Sequence, residues 1–131
     1  MTVGLDTSVI LRLLVGEPAD QTRRAVAFLD ELARRGHRPG VLDLVMAEAY
    51  FALQYHYGLS KHDALSGLCR LFEDGEIESL GVAAEVLKTD GLALAKPGFV
   101  DRMIHAAYAQ SHAPMATFEK SAGKLKSAKV L

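Results

Sequence analysis

The chain has 131 residues, half of them hydrophobic and 24% charged, with a formal net charge of −1. That length suits one domain with its own core and is too short for two, and the near-zero charge excludes a protein that meets nucleic acid or membrane over its whole surface. The single cysteine, Cys69, excludes an internal disulfide, and its helical-looking setting reads as a small packed side chain.

In chain order, Val3 to Leu5 reads as a short buried strand ending in Asp6. Val9 to Val15 follows as a helix, broken by Gly16 and Pro18. Ala19 to Arg35 places Ala25, Val26, Phe28, Leu29, Leu32 and Ala33 at helical spacing, and Gly36 ends it. Pro39-Gly40 reads as a turn before a strand at Val41-Leu42, with Asp43 as N-cap of a helix from Leu44 to Tyr57. Ser60 and Asp63 form a capping-box-like start to a helix reaching about Glu73. A strand at Ile77–Leu80, helices at Ala83–Leu94 and Phe99–Ser111, and strands at Pro114–Phe118 and Lys129–Leu131 complete the pattern. Short strands alternating with helices predict an α/β fold with a mostly parallel sheet and helices on both faces.

The N-terminus has no basic segment followed by a long apolar one, and no apolar run approaches the ~20 residues that span a bilayer. The expectation is a cytoplasmic protein without a membrane anchor.

Four of the sixteen acids stand apart from the rest. Asp6 lies between apolar residues at a strand end, where ligand sites of open α/β sheets occur. Glu48 is the only charged residue between Asp43 and His56. Asp101 falls in the first turn of a helix, and Glu119 directly follows a strand. Each also has an ordinary explanation. Asp6 can cap the helix that begins near Ser8. Glu48 can pair with a core polar group such as Tyr55 or Tyr57. Asp101 can answer the helix dipole, and Glu119 can be a turn residue. Were the four to converge, their mutual repulsion would call for a cation. All-oxygen ligands favour Mg²⁺ or Mn²⁺, which lower the pKa of a bound water and polarise a phosphoryl group.

With these residues in view, the chain resembles the PIN-domain family, most closely the single-domain VapC-type toxins of VapBC toxin–antitoxin pairs. The likeness is carried by Gly4-Leu5-Asp6-Thr7-Ser8-Val9-Ile10, Met46-Ala47-Glu48, Phe99-Val100-Asp101-Arg102-Met103-Ile104 and Ala116-Thr117-Phe118-Glu119, which together span almost the whole chain. The resemblance implies a single PIN-like domain over residues 1–131, a three-layer sandwich, and Mg²⁺- or Mn²⁺-dependent hydrolysis of RNA. It implies that Asp6, Glu48, Asp101 and Glu119 form the metal site, supported by the hydroxyls of Thr7, Ser8 and Thr117. It also implies a small antitoxin partner and a homodimer, for which Tyr50, Phe51, Tyr55 and Tyr57 are candidate contacts and equally candidates for the core.

Two features depart from the family pattern. Glu119 stands where aspartate is usual, which lengthens the reach to a metal by one bond. Arg102 follows Asp101 where a small or apolar residue is usual, and His105, one turn on, reads as a packing or surface residue rather than a ligand. For RNA contact, Arg12 lies one turn beyond Ser8, and Lys120, Lys124, Lys126 and Lys129 gather after Glu119. Those lysines serve equally as phosphate contacts or as a solubilising tail. Two alternatives remain open beside a nuclease: a PIN-fold interaction module without activity, and a phosphatase with Asp6 as nucleophile. The second lacks the acid expected two residues on, where Ser8 stands.

Overall fold

In the computed structural model, which describes residues 1–131, the chain is α/β, with six α-helices and short parallel strands. It divides into two units, Met1–Gly81 and Val82–Leu131.

The first unit holds β1 (Thr2–Gly4), α1 (Thr7–Val15), α2 (Ala19–Arg34), β2 (Arg38–Val41), α3 (Asp43–Tyr55), α4 (Lys61–Arg70) and β3 (Glu78–Ser79). The three strands form one parallel sheet in the order β1-β2-β3, with Val3 opposite Pro39 and Val41 opposite Ser79. α1 packs on α2 and α3, and α3 packs on α4. Ile10, Met46, Leu53 and Leu68 are almost wholly buried and form the centre of this unit's core.

The central strand starts earlier than expected. Pro39-Gly40 is not a turn but lies within β2, and Leu42 lies outside it. The backbone explains how a central strand tolerates the proline. Arg38 donates its N–H to the Met1 carbonyl and Gly40 accepts from Leu5, so these two residues face β1. Pro39 faces the other side, where β3 pairs only with Gly40 and Val41 and needs no donor from it. Gly40 is required by crowding: a Cβ there would lie 2.9 Å from Leu80 Cγ and Thr2 Cγ2.

Helix starts differ from expectation at two places. α1 begins at Thr7, two residues early, because Asp6 caps it. Asp43 is not the N-cap of α3 but its first residue; Leu42 holds the cap position, and the Asp43 carboxylate lies against Gly81, where a Cβ would overlap it. Ser60 does cap α4, its hydroxyl accepting the Asp63 N–H at 3.0 Å. The strand expected at Ile77–Leu80 narrows to Glu78–Ser79.

The second unit holds α5 (Ala83–Leu87), α6 (Phe99–Gln110), β4 (Met115–Thr117), a 3₁₀ turn (Lys120–Lys124) and β5 (Ala128–Val130). β4 and β5 form a separate two-stranded parallel sheet, with Thr117 opposite Val130. α5 packs on α6, and Phe99, Met103, Val86 and Leu87 are buried. The helix expected to reach Leu94 stops at Leu87. Gly91 adopts the left-handed conformation at φ +64° in the turns that follow, which glycine enters without steric cost, and Leu94 is left exposed. No helix of the structure is long and apolar enough to cross a membrane.

Candidate functional site

Asp6 extends from the end of β1 into solvent, so it is not the buried strand-end acid its neighbours suggest. Its Oδ1 accepts from the Ser8 hydroxyl at 2.6 Å, the Ser8 N–H at 3.0 Å and the Val9 N–H at 3.3 Å. This is an N-cap, and it closes α1 onto the strand end. The Ser8 hydroxyl and then the Val9 N–H hold the Asp6 carboxyl below the usual aspartate range, against a small opposing effect of burial. Oδ2 accepts no hydrogen bond.

Glu48 is likewise exposed, although its sequence neighbours are apolar. The apolar residues around it belong to different faces of α3. Met46, Ala49, Tyr50 and Leu53 turn into the core, while Leu44, Phe51 and Tyr55 share the exposed face with Glu48. Glu48 pairs with neither Tyr55 nor Tyr57. Its Oε1 accepts the Thr7 hydroxyl at 2.8 Å, which joins the first turn of α1 to α3. Within the first unit, Thr7 and Ser8 thus hold two different carboxylates, Glu48 and Asp6. Arg12, one turn along α1, donates Nε to Gln21 Oε1 at 2.6 Å.

The second unit gathers a further set. Asp101, Ile104 and Tyr108 on α6, Met115 and Thr117 on β4, and Glu119 line one hollow of about 220 Å³. Glu119 Oε1 accepts from the Ser121 N–H at 3.1 Å and the Ser121 hydroxyl at 2.9 Å, capping the 3₁₀ turn. These bonds, with the positive charge of Lys96, hold the Glu119 carboxyl below its usual range. Thr117 acts on the backbone of Glu119, its Oγ1 accepting the Glu119 N–H at 3.0 Å. Asp101 accepts no hydrogen bond. Lys120 and Lys124 are exposed on the 3₁₀ turn and enter no ion pair. His105 lies outside this hollow and contacts the Lys126 carbonyl through Nε2 at 2.7 Å.

Three of the four acids share one design. A hydroxyl, with backbone N–H groups in two cases, holds one carboxylate oxygen and leaves the other without a partner. Asp6-Thr7-Ser8 and Glu119-Lys120-Ser121 repeat the device, each with serine two residues after the acid. Ser121 carries that signal in the sequence, and Ile104 and Tyr108, three and seven residues after Asp101, share its helix face, whereas Lys96 has no such signal.

The donor chemistry fits a hard divalent cation: free carboxylate oxygens, two acids in each unit, and no imidazole or thiolate among them. No group of three or more His, Cys, Asp or Glu side chains is placed to hold a metal ion. Of the proposed contact residues, Tyr50 is buried at 5% exposure and is withdrawn from any interaction face, while Phe51, Tyr55 and Tyr57 are exposed. Comparison of the chain with protein-family models, curated proteins and solved structures gives no match.

Proposed function

We propose that this protein is a Mg²⁺- or Mn²⁺-dependent ribonuclease of the PIN-like kind, the toxin of a toxin–antitoxin pair, with Asp6, Glu48, Asp101 and Glu119 as its acids. The fold reading that goes with it is the PIN-like three-layer sandwich. One observation supports it most: Asp6, Glu48 and Glu119 are each held through a single oxygen, with the second oxygen free. Thr7, next to Asp6 in the chain, gives its hydroxyl to Glu48 on a different helix.

Asp6 and Glu48, oriented by Ser8 and Thr7, and Asp101 and Glu119, the latter oriented by Ser121, would hold the cation. A divalent cation bound there lowers the pKa of a coordinated water and neutralises charge developing on a phosphoryl oxygen. The hydrogen bonds from Ser8 and Ser121 favour the charged forms of Asp6 and Glu119. Glu119 is longer than the family's usual aspartate, but the same serine device fixes it, so its extra length does not leave it free to wander. Arg12, Lys120 and Lys124 supply positive charge for an RNA backbone.

A non-catalytic interaction module is the second reading, favoured by the exposed Leu44, Phe51 and Tyr55 on α3. The same face offers apolar contact area to a small antitoxin or to a second copy of the chain. Titration with Mn²⁺, followed calorimetrically, separates the readings. The ribonuclease binds Mn²⁺ saturably and loses that binding in Asp101→Asn. An interaction module gives no saturable heat, or gives heat that Asp101→Asn leaves unchanged.

A further inference from the structure

We propose that the groove between α1 and α2 is a binding track for single-stranded RNA, with Arg12 and Arg24 gripping phosphates and Phe28 stacking a base. The inference rests on the reading of the protein as an enzyme acting on RNA and adds to it the path of the strand.

The groove measures about 320 Å³, and its walls include Ser8, Val9, Arg12, Gln21, Arg24 and Phe28. Two cations line it and no acid does. Arg12 is steadied by Gln21 through Nε, which leaves its two terminal nitrogens without a protein partner. Arg24 enters no hydrogen bond or ion pair. Glu17 borders Arg12 in a neighbouring shallow depression without pairing with it. Elsewhere on this unit Arg34 and Arg35 both bind Glu31 and Arg38 lies 4.0 Å from Glu78, while the unpaired Arg23 and Arg70 stand outside the groove. Two unneutralised guanidinium groups in one groove are a match for phosphate, which arginine binds through paired N–H donors.

Phe28 supplies the second component. It remains 44% exposed, although it stands on the helix face that the apolar periodicity assigns to the core. An exposed aromatic ring beside cations is the arrangement by which single strands are held without sequence choice. The groove also connects to the proposed chemistry through Ser8, which forms part of its wall while holding Asp6. A strand lying along Arg24 and Arg12 therefore reaches the start of α1, where Asp6 presents its free oxygen.

The test is fluorescence anisotropy of a short labelled single-stranded RNA with the full chain in EDTA, where binding is read without cleavage. Phe28→Ala is expected to weaken binding about fivefold or more, the low end of one base stacked on an aromatic ring. Arg24→Ala is expected to weaken binding and to lower the slope of log K against log salt by about 0.7, the value of one phosphate contact on a single strand. Arg24→Glu should weaken it further. Arg23→Ala, a neighbouring exposed arginine outside the groove, should change binding little. The proposal is overturned if Arg24→Ala and Phe28→Ala bind like the wild type. It is equally overturned if Arg23→Ala loses as much as Arg24→Ala, or if an acidic peptide such as oligoglutamate displaces the RNA at equal concentration. Its failure is separable from that of the nuclease reading. Wild-type cleavage with unaltered binding in these variants removes the groove alone, and groove-dependent binding without cleavage removes the nuclease alone.

Discussion

Thr7 donates its hydroxyl to Glu48 Oε1 across 2.8 Å, from the first residue of α1 to the middle of α3. The bond is solvent-exposed, so its share of folding stability is small, below about 1 kcal/mol. Its consequence lies in orientation. Thr7→Val keeps the shape and removes the donor. It should leave the unfolding midpoint nearly unchanged and lower metal-dependent RNA cleavage about tenfold, the scale at which lost outer-shell partners act. Thr7→Ser restores the hydroxyl and should restore the rate.

Asp6 carries two separable duties. Asp6→Ala removes the N-cap of α1 and should cost about 1 kcal/mol in urea denaturation. Asp6→Asn keeps an oxygen that can accept from Ser8 and Val9, and asparagine caps about as well as aspartate. It should therefore unfold close to the wild-type midpoint while losing the carboxylate that the proposed cation site uses. Equal destabilisation by the two variants would contradict the capping geometry.

Acid should expose the same contacts. The Asp6 and Glu119 carboxyls titrate below their ordinary values of 3.8 and 4.5 because hydrogen bonds favour their charged forms. Protonation is therefore harder in the folded state than in the unfolded chain. The stabilisation these groups give is complete above the ordinary carboxylate range and is lost as pH falls through the lowered folded values. Carbon-detected NMR titration should place both carboxyls below model-peptide values. Ser121→Ala should move Glu119 upward only in part, since the backbone N–H of residue 121 remains.

Gly40 tests the sheet. A Cβ at this position would lie 2.9 Å from side-chain atoms of both Leu80 and Thr2. Gly40→Ala should destabilise the protein by about 1–3 kcal/mol, the cost of overpacking. Leu80→Ala should relieve part of that loss when combined with it, because Leu80 supplies two of the three atoms at 2.9 Å.

Much of the local architecture is legible in the residues themselves. Asp6 before Thr7-Ser8 announces a capped helix, and Ser60 three residues before Asp63 does the same for α4. Both signals are local, because the hydrogen bonds join residues two or three apart. Pro39-Gly40 misleads for the opposite reason. Its place in β2 depends on which side of the strand lacks a neighbour, and that is decided by how far β3 extends. Glu48 misleads in another way: an apolar stretch of sequence on a helix contains both a buried and an exposed face, and Glu48 lies on the exposed one with Phe51 and Tyr55. Its partner Thr7 lies in a distant part of the chain, so no spacing rule finds it. Ser121 was within reach, since it repeats the relation of Ser8 to Asp6, and so were Ile104 and Tyr108, three and seven residues after Asp101 on one helix face; only their meeting with Thr117 and Glu119 in one hollow is tertiary.

The proposed activity is metal-dependent hydrolysis of RNA. Its most direct test is cleavage of single-stranded RNA across a Mn²⁺ titration by the wild type, Asp6→Asn and Asp101→Asn. Cleavage should rise to saturation with Mn²⁺ in the wild type, cease in EDTA, and be abolished in both folded variants. Wild-type cleavage by either variant, or a wild-type protein that cleaves no RNA at saturating Mn²⁺, would contradict it.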